Sequence, residues 1–222
     1  MIGLAQDIRI AGLTALFDLP VRFGFADPRA PAPSLYPQEA RAVATARRKR
    51  RREFAAGRAA ARAALVALGL PPQPVPMAPD RAPVWPPGVT GSISHTDTDC
   101  VGVVSDAPGL RGLGIDMEPS LPLERPLWPE VCTTGELDAL MQHPAATRGL
   151  LARALFCAKE AAFKAQYPVS RTVFGFQTLD VTMREDSFVA RFTEAMPGFG
   201  AGAELRGRLV LLDGVLCAGV SL

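Results

Sequence analysis

The residues best spaced for chemistry fall in two short blocks. Asp116 and Glu118 stand one residue apart in LRGLGIDMEP, and Glu160 precedes Lys164 by one helical turn in FCAKEAAFK. Side chains alternate along a strand, so a strand through the first block puts Leu113, Ile115 and Met117 on one face. Gly112, Gly114, Asp116 and Glu118 fall on the other. Two acids then reach one cation, and the glycines leave room for a ligand to approach the backbone closely. Mg²⁺ takes oxygen donors, commonly one or two carboxylates plus substrate phosphates and water. A half-exposed edge strand with solvated acids accounts for the same pattern. In the second block Glu160 and Lys164 share one helix face. They form either an ordinary surface ion pair, worth a few tenths of a kcal/mol, or a third carboxylate with a phosphate-binding cation.

Two further groups carry chemistry. GSISH, Gly91–His95, offers two hydroxyls and an imidazole on a short strand. A serine nucleophile usually occupies a sharp G-x-S-x-G elbow, which this is not, so ordinary strand serines with a satisfied histidine stay open beside a Ser–His pair. RRKRRR, Arg47–Arg52, spreads its charges around a helix and reads as a solvated face or a nucleic-acid patch. Arg58 differs: in an alanine-rich, apolar turn it becomes partly buried and needs an anionic partner.

The elements that must position these residues follow from proline, glycine and periodicity. Residues 26–37 are proline-rich and irregular. Gln38 to Leu68 contains no proline and reads as one long helix, stopped by Gly69 and Pro71. Residues 71–88 hold eight prolines and form an extended linker or loop. Strands follow over 89–96 and 100–106, joined by a tight polar turn, and over LRGLGIDME. GELDALMQH is a short helix, and TRGLLARALFCAKEAAFKAQY a longer one ended by Pro168. Two hairpins close the chain, TLDVTM with FVARF and LRGRLVLL with VLCAGVSL, the second turning at Asp213-Gly214 in type I′ geometry. The order helix, strands, helix, strands predicts an α+β fold of two similar halves.

Composition bounds the function. The 222 residues allow one large domain or two small ones, and 48% apolar with 21% charged residues is a folded, soluble balance. A net charge of +2 leaves any attraction for anions to local clusters. The four cysteines are scattered, without zinc spacing, and suit burial in a reducing compartment. MIGLAQDIRIAGL carries Asp7 and Arg9 and makes a poor signal peptide, and no apolar run is long enough to span a membrane. A cytoplasmic protein is expected.

Taken together, the blocks resemble the 4′-phosphopantetheinyl transferases. That family carries G-[IV]-D-x-E and, some forty residues on, [FW]-[SC]-x-K-E-[AS]-x-x-K. This chain has GIDME, a step of 43 residues from Asp116 to Lys159, and FCAKEAAFK. RRREFAAGRAAARAAL, DRAPVWPPGVTGSISHT and YPVSRTVFGF look like the larger, stand-alone group, which includes the enterobactin synthetase D components and actinobacterial enzymes. The resemblance covers roughly residues 41–176. It implies two α+β halves, 1–108 and 109–222, related by a pseudo-twofold with the active site between them. It implies transfer of 4′-phosphopantetheine from the substrate coenzyme A to a serine of an apo carrier protein, with Mg²⁺ as cofactor.

Carried over residue by residue, Asp116, Glu118 and Glu160 would hold Mg²⁺ against the pyrophosphate. Glu160, or a water it orients, would deprotonate the serine. Lys164 and His95 would contact the pyrophosphate and stabilise its leaving charge. Arg50 and Arg58 would bind the 3′-phosphate side, with Ser94 near it, and Arg81 would line the adenosine. Phe174, in YPVSRTVFGF, belongs to the same cofactor-binding set, while Lys159 points to a different helix face. Met117, between the acids, departs from the pattern in being a poor Mg²⁺ ligand, and the segment before RAPVWP has fewer lysines than some relatives. The expected partners are acidic acyl or peptidyl carrier domains of polyketide, nonribosomal peptide, siderophore or fatty-acid synthesis. A monomer without nucleic-acid or membrane partners is expected. An RNA- or DNA-binding protein using Arg47–Arg52, and a relative that only binds coenzyme A or a carrier, are the alternatives.

Overall fold

A computed structural model describes residues 9–222; Met1–Ile8, where most of the expected non-signal stretch falls, lie outside the described residues. The chain divides into two compact units. One is Leu19–Leu110; the other is Arg111–Leu222 together with residues 9–18. The start of the chain therefore departs from the expected division at 108/109. Residues 9–14 are helical (α1), and Leu13, Leu16 and Phe17 are buried. A side chain added to Gly219 would meet Leu16 and Phe17, and Arg208 reaches Asp18 at 2.7 Å. An apolar helix stripe must be covered by some face, and the C-terminal sheet covers this one.

In the N-terminal unit a three-stranded antiparallel sheet runs in the order β1-β3-β2, with β1 Arg22–Ala26, β2 Thr90–His95 and β3 Cys100–Ser105. β1 has no counterpart in the sequence reading; RFGFA is short and only half alternating. The helix expected over 38–68 is broken. A turn at Pro37–Ala40 (α2) and a 3₁₀ turn at Arg41–Val43 precede the helix Arg48–Ala67 (α3). The break has a tertiary cause. Glu39 is fully buried, accepts Arg62 Nη1 at 2.7 Å and takes the Val75 N–H at 2.9 Å. Helix propensity alone would carry the chain straight through; these distant bonds hold the first turn apart. They also pin the proline-rich 71–88 segment, whose Val75 is buried, so it is a packed arm and not a linker. α3 lies on the sheet through small residues. A side chain at Gly24 or Gly102 would strike the α3 backbone at Ala60–Ala61.

The second unit has a five-stranded antiparallel sheet, order β4-β8-β7-β6-β5. β4 is Leu113–Pro119, followed by α4 Trp128–Val131, α5 Thr134–Met141 and α6 Ala145–Ser170. The sheet is completed by β5 Leu179–Met183, β6 Ser187–Phe192, β7 Glu204–Leu212 and β8 Val215–Ser221. Asp213 (φ 50) and Gly214 (φ 78) turn β7 into β8 with two left-handed residues, the type I′ geometry expected. α6 does not end at Pro168; it contains it. The Arg171 N–H still closes on Tyr167 at 2.9 Å, and the exit comes at Arg171 in the left-handed region. Proline near a helix end sacrifices one ladder bond without stopping the last turn. The four cysteines are free and buried. No helix among the described residues is long and apolar enough to cross a membrane.

Candidate active site

β4 is an edge strand, but its acids are not solvated. The helix α6 lies across the face that carries the glycines. A side chain on Gly112 would strike the Ala165 carbonyl oxygen, and one on Gly114 the Ala161 carbonyl oxygen. The expected room for a ligand beside Gly112 and Gly114 is thus filled by helix backbone; these glycines serve close strand–helix packing. The same approach brings Asp116, 4% exposed, against α6. Lys164 Nζ donates to Asp116 Oδ1 at 2.6 Å and to the Ile115 carbonyl at 3.2 Å. Arg153 Nη1 donates to Glu118 Oε2 at 2.7 Å, and Arg153 Nε to the Leu121 carbonyl at 3.2 Å. Arg153, Glu160 and Lys164 share one stripe of α6 by helical spacing, so three acids and two bases gather where α6 crosses β4.

Burial leaves this cluster short of positive charge. The Glu118 carboxyl is pushed up to about 7, first by burial and then by Asp116, with Arg153 and Lys164 pulling it back. Burial likewise raises Glu160, against the pull of Lys164. Burial works against the Lys164 ammonium, yet Asp116 and Glu160 hold it above its ordinary value. Hard carboxylate donors with raised proton affinity suit a small dication in chemistry. Among the described residues, no three His, Cys, Asp or Glu side chains are set to cage a metal.

Lys159 faces elsewhere, as expected. It is 1% exposed and donates to the Val131 carbonyl at 2.8 Å, Glu136 Oε2 at 2.7 Å and the Phe176 carbonyl at 3.1 Å. Phe174 packs edge-on against Phe163 and Phe192, with ring centres 5.3 and 6.0 Å apart.

In the N-terminal unit Arg58 is 6% exposed and stacks 4.2 Å over the Phe54 ring. Its Nε finds no hydrogen-bond partner among the described residues. Burial first, then Arg50 and Arg62, push its pKa down to about 10, with Glu39 opposing. A buried cation repelled by two others calls for an anion. His95 pairs with Cys100 across β2 and β3, and Ile93 pairs with Gly102. Ile93 and Gly102 face α3, so alternation puts His95 on that face too. Ser94, 5% exposed, falls on the opposite face, which separates it from Arg58 against the expectation. Arg81 is exposed, in the left-handed region (φ 71), at the tip of a small loop whose ends pair at Met77 and Pro83. Arg47 caps α3, and the basic residues that follow it open the helix, with no acid in the first turn.

Two residues of these clusters were not singled out from sequence. Arg153 was legible as seven residues before Glu160 on the same helical stripe. Glu136 was legible as the fourth residue of TTGE: its capping box with Thr133 is formed, with bonds of 2.7 and 3.2 Å.

Two family models match this chain: the 4′-phosphopantetheinyl transferase N-terminal domain over residues 38–105, and the 4′-phosphopantetheinyl transferase superfamily over residues 112–199. The chain is 35% identical over 182 residues to the 4′-phosphopantetheinyl transferase PptT of Mycobacterium tuberculosis, covering 78% of this chain and 75% of that protein. It is 37% identical over 147 residues to the 4′-phosphopantetheinyl transferase Npt of Nocardia iowensis, covering 66% of this chain and 65% of that protein's length. To enterobactin synthase component D of Escherichia coli it is 42% identical over 120 residues, 53% of this chain and 55% of that one.

Proposed function

Because the chain belongs to the 4′-phosphopantetheinyl transferase superfamily, we propose that it transfers 4′-phosphopantetheine from coenzyme A to a serine hydroxyl of an apo carrier protein. The observation that carries this reading is the meeting of Asp116, Glu118 and Glu160 with Lys164 and Arg153 where α6 crosses β4. In the reaction the serine oxygen bonds to the phosphorus of the phosphopantetheine phosphate. The bond from that phosphorus to the bridging pyrophosphate oxygen breaks, and its electron pair leaves on 3′,5′-ADP. Such a transfer needs positioning and charge neutralisation more than covalent chemistry.

Glu160, whose burial raises its proton affinity, is the base proposed to take the serine proton. Asp116 and Glu118, with Glu160, are the residues that would hold Mg²⁺; the ion, when bound, neutralises and polarises the pyrophosphate. Lys164, kept charged by Asp116 and Glu160, is assigned to the leaving phosphate oxygens. In the N-terminal unit Arg58 is assigned to the 3′-phosphate, because an anion would supply the partner its buried Nε lacks. Arg50, His95 and Arg81 are assigned to the remaining phosphate and adenosine contacts, and Phe174 to the coenzyme A chain. Ser94, on the other face of β2, is assigned no phosphate contact. The carriers are proposed to be acidic domains of polyketide, peptide, siderophore or fatty-acid synthesis, met by the protein as a monomer in the cytoplasm.

The test is mass spectrometry of several apo carrier proteins incubated with the purified protein, coenzyme A and Mg²⁺. One carrier gains a single phosphopantetheine if the reading is right, and none does if it is wrong.

A further inference from the structure

Lys159 stands next to the proposed base in sequence, inside the motif that marks the site, yet its ammonium turns away from the acids. By helical spacing it points about 100° from Glu160 and about 140° from Lys164. Its three N–H donors are all used: on the Val131 carbonyl that ends α4, on Glu136 at the start of α5, and on the Phe176 carbonyl before β5. Glu136 in turn has both oxygens engaged. Oε2 also accepts the Thr133 N–H at 2.7 Å, and Oε1 accepts the Val181 N–H of β5 at 2.6 Å. Thr133 Oγ1 donates onward to Asp180 at 2.7 Å. The pair is almost sealed from solvent, with side chains 1% and 3% exposed. Nothing in this geometry lets Lys159 touch a phosphate.

We propose that Lys159, through Glu136, is a positioning residue: it fixes the rotation of α6 about its own axis and so aligns Glu160, Lys164 and Arg153 with Asp116 and Glu118. α6 rests on β4 through alanines over glycines, a flat contact with few features to stop the helix from turning. Lys164 and Arg153 hold one side of the helix. Lys159 holds the other, joined by the Phe156 ring packed on Phe176 at 5.3 Å. Helix rotation that moves Glu160 and Lys164 off β4 must break three bonds to three different segments. The inference rests on the transferase reading for the importance of that alignment. The alignment itself is a property of this chain.

The test compares the wild type with Lys159→Met, Glu136→Gln and the double variant Lys159→Met/Glu136→Gln. Lys159→Met strands a buried carboxylate and melts lower. The double variant removes both charges and keeps an acceptor for the Val181 N–H, so its melting temperature recovers toward that of the wild type. Mn²⁺ binding is measured by electron paramagnetic resonance without coenzyme A, alongside kcat and the KM for coenzyme A in carrier modification. In the double variant the expected losses are about tenfold or more in Mn²⁺ affinity and in kcat, the size seen when residues that orient ligands are removed. The KM for coenzyme A stays within about twofold. Recovery of Mn²⁺ affinity and kcat together with melting temperature would make the pair merely structural and overturn the proposal. So would a double variant that does not fold, or a loss expressed mainly as a raised KM for coenzyme A, which would make Lys159 a substrate contact. A wild type that binds Mn²⁺ but modifies no carrier overturns the transferase reading alone; the Mn²⁺ comparison then decides the role of Lys159. A wild type that binds no Mn²⁺ without coenzyme A yet modifies a carrier leaves the transferase reading standing, and an unchanged kcat in the double variant then overturns the proposal for Lys159.

Discussion

At the scale of single residues, the site is a buried charge balance. Three carboxylates and two bases share the crossing of α6 with β4, and burial raises the proton affinity of Glu118 and Glu160. On the proposed function, removing an acid there would remove a cation ligand or the base itself. Asp116→Ala and Glu160→Ala should each lower carrier modification by about 100-fold or more, measured as initial rate with coenzyme A and Mg²⁺. Lys49→Ala is the contrast. Lys49 is 73% exposed and pairs with Asp97, itself 80% exposed, and such pairs contribute little. Its rate should match the wild type. Equal losses at Lys49 and Asp116 would remove the distinction between site and surface. The alternation of LGIDMEP was enough to read the acids as neighbours, and the helical spacing put Glu160 with Lys164. The partners Arg153 and Glu136 were legible too, as a heptad step and a capping box, but neither pattern announces a tertiary bond 35 or 23 residues away.

At the scale of elements, both units use the same device: an alanine-rich helix laid on glycine-bearing strands. α3 rests on Gly24 and Gly102, and α6 on Gly112 and Gly114. Glycine in a strand signals that something approaches closely, and sequence cannot say whether that is a ligand or a helix. Here the helix backbone wins. Gly114→Ala should therefore destabilise the protein by about 1–3 kcal/mol or more through overpacking. Gly175→Ala, where an added side chain meets open space, should be near neutral. Thermal melts distinguish them; a Gly114→Ala protein as stable as the wild type would mean that the strand and helix are not in contact. The break before α3 was invisible for a related reason. It depends on Glu39 bonding to Arg62 and Val75, contacts made only after folding. The second hairpin, by contrast, was legible from Asp213-Gly214 alone, because a type I′ turn is a local demand on φ.

At the scale of the whole molecule, the α+β class and the division into two units follow from the order of helices and strands. The start of the chain does not obey that order. Residues 9–18 belong with the second unit, covering the C-terminal sheet with Leu13, Leu16 and Phe17. Sequence order misled because an apolar helix packs wherever a bare face exists, not beside its neighbour in the chain. Leu13→Ala should cost about 2–5 kcal/mol, as for a fully buried leucine. A melt unchanged from the wild type would show that the segment is not docked.

The most direct test of the transferase account is the intact mass of an apo carrier protein after incubation with coenzyme A, Mg²⁺ and either the wild type or Asp116→Ala. The account predicts one added phosphopantetheine with the wild type and none with Asp116→Ala over the same time. No addition to any of several carrier types, or equal addition by both proteins, would contradict it.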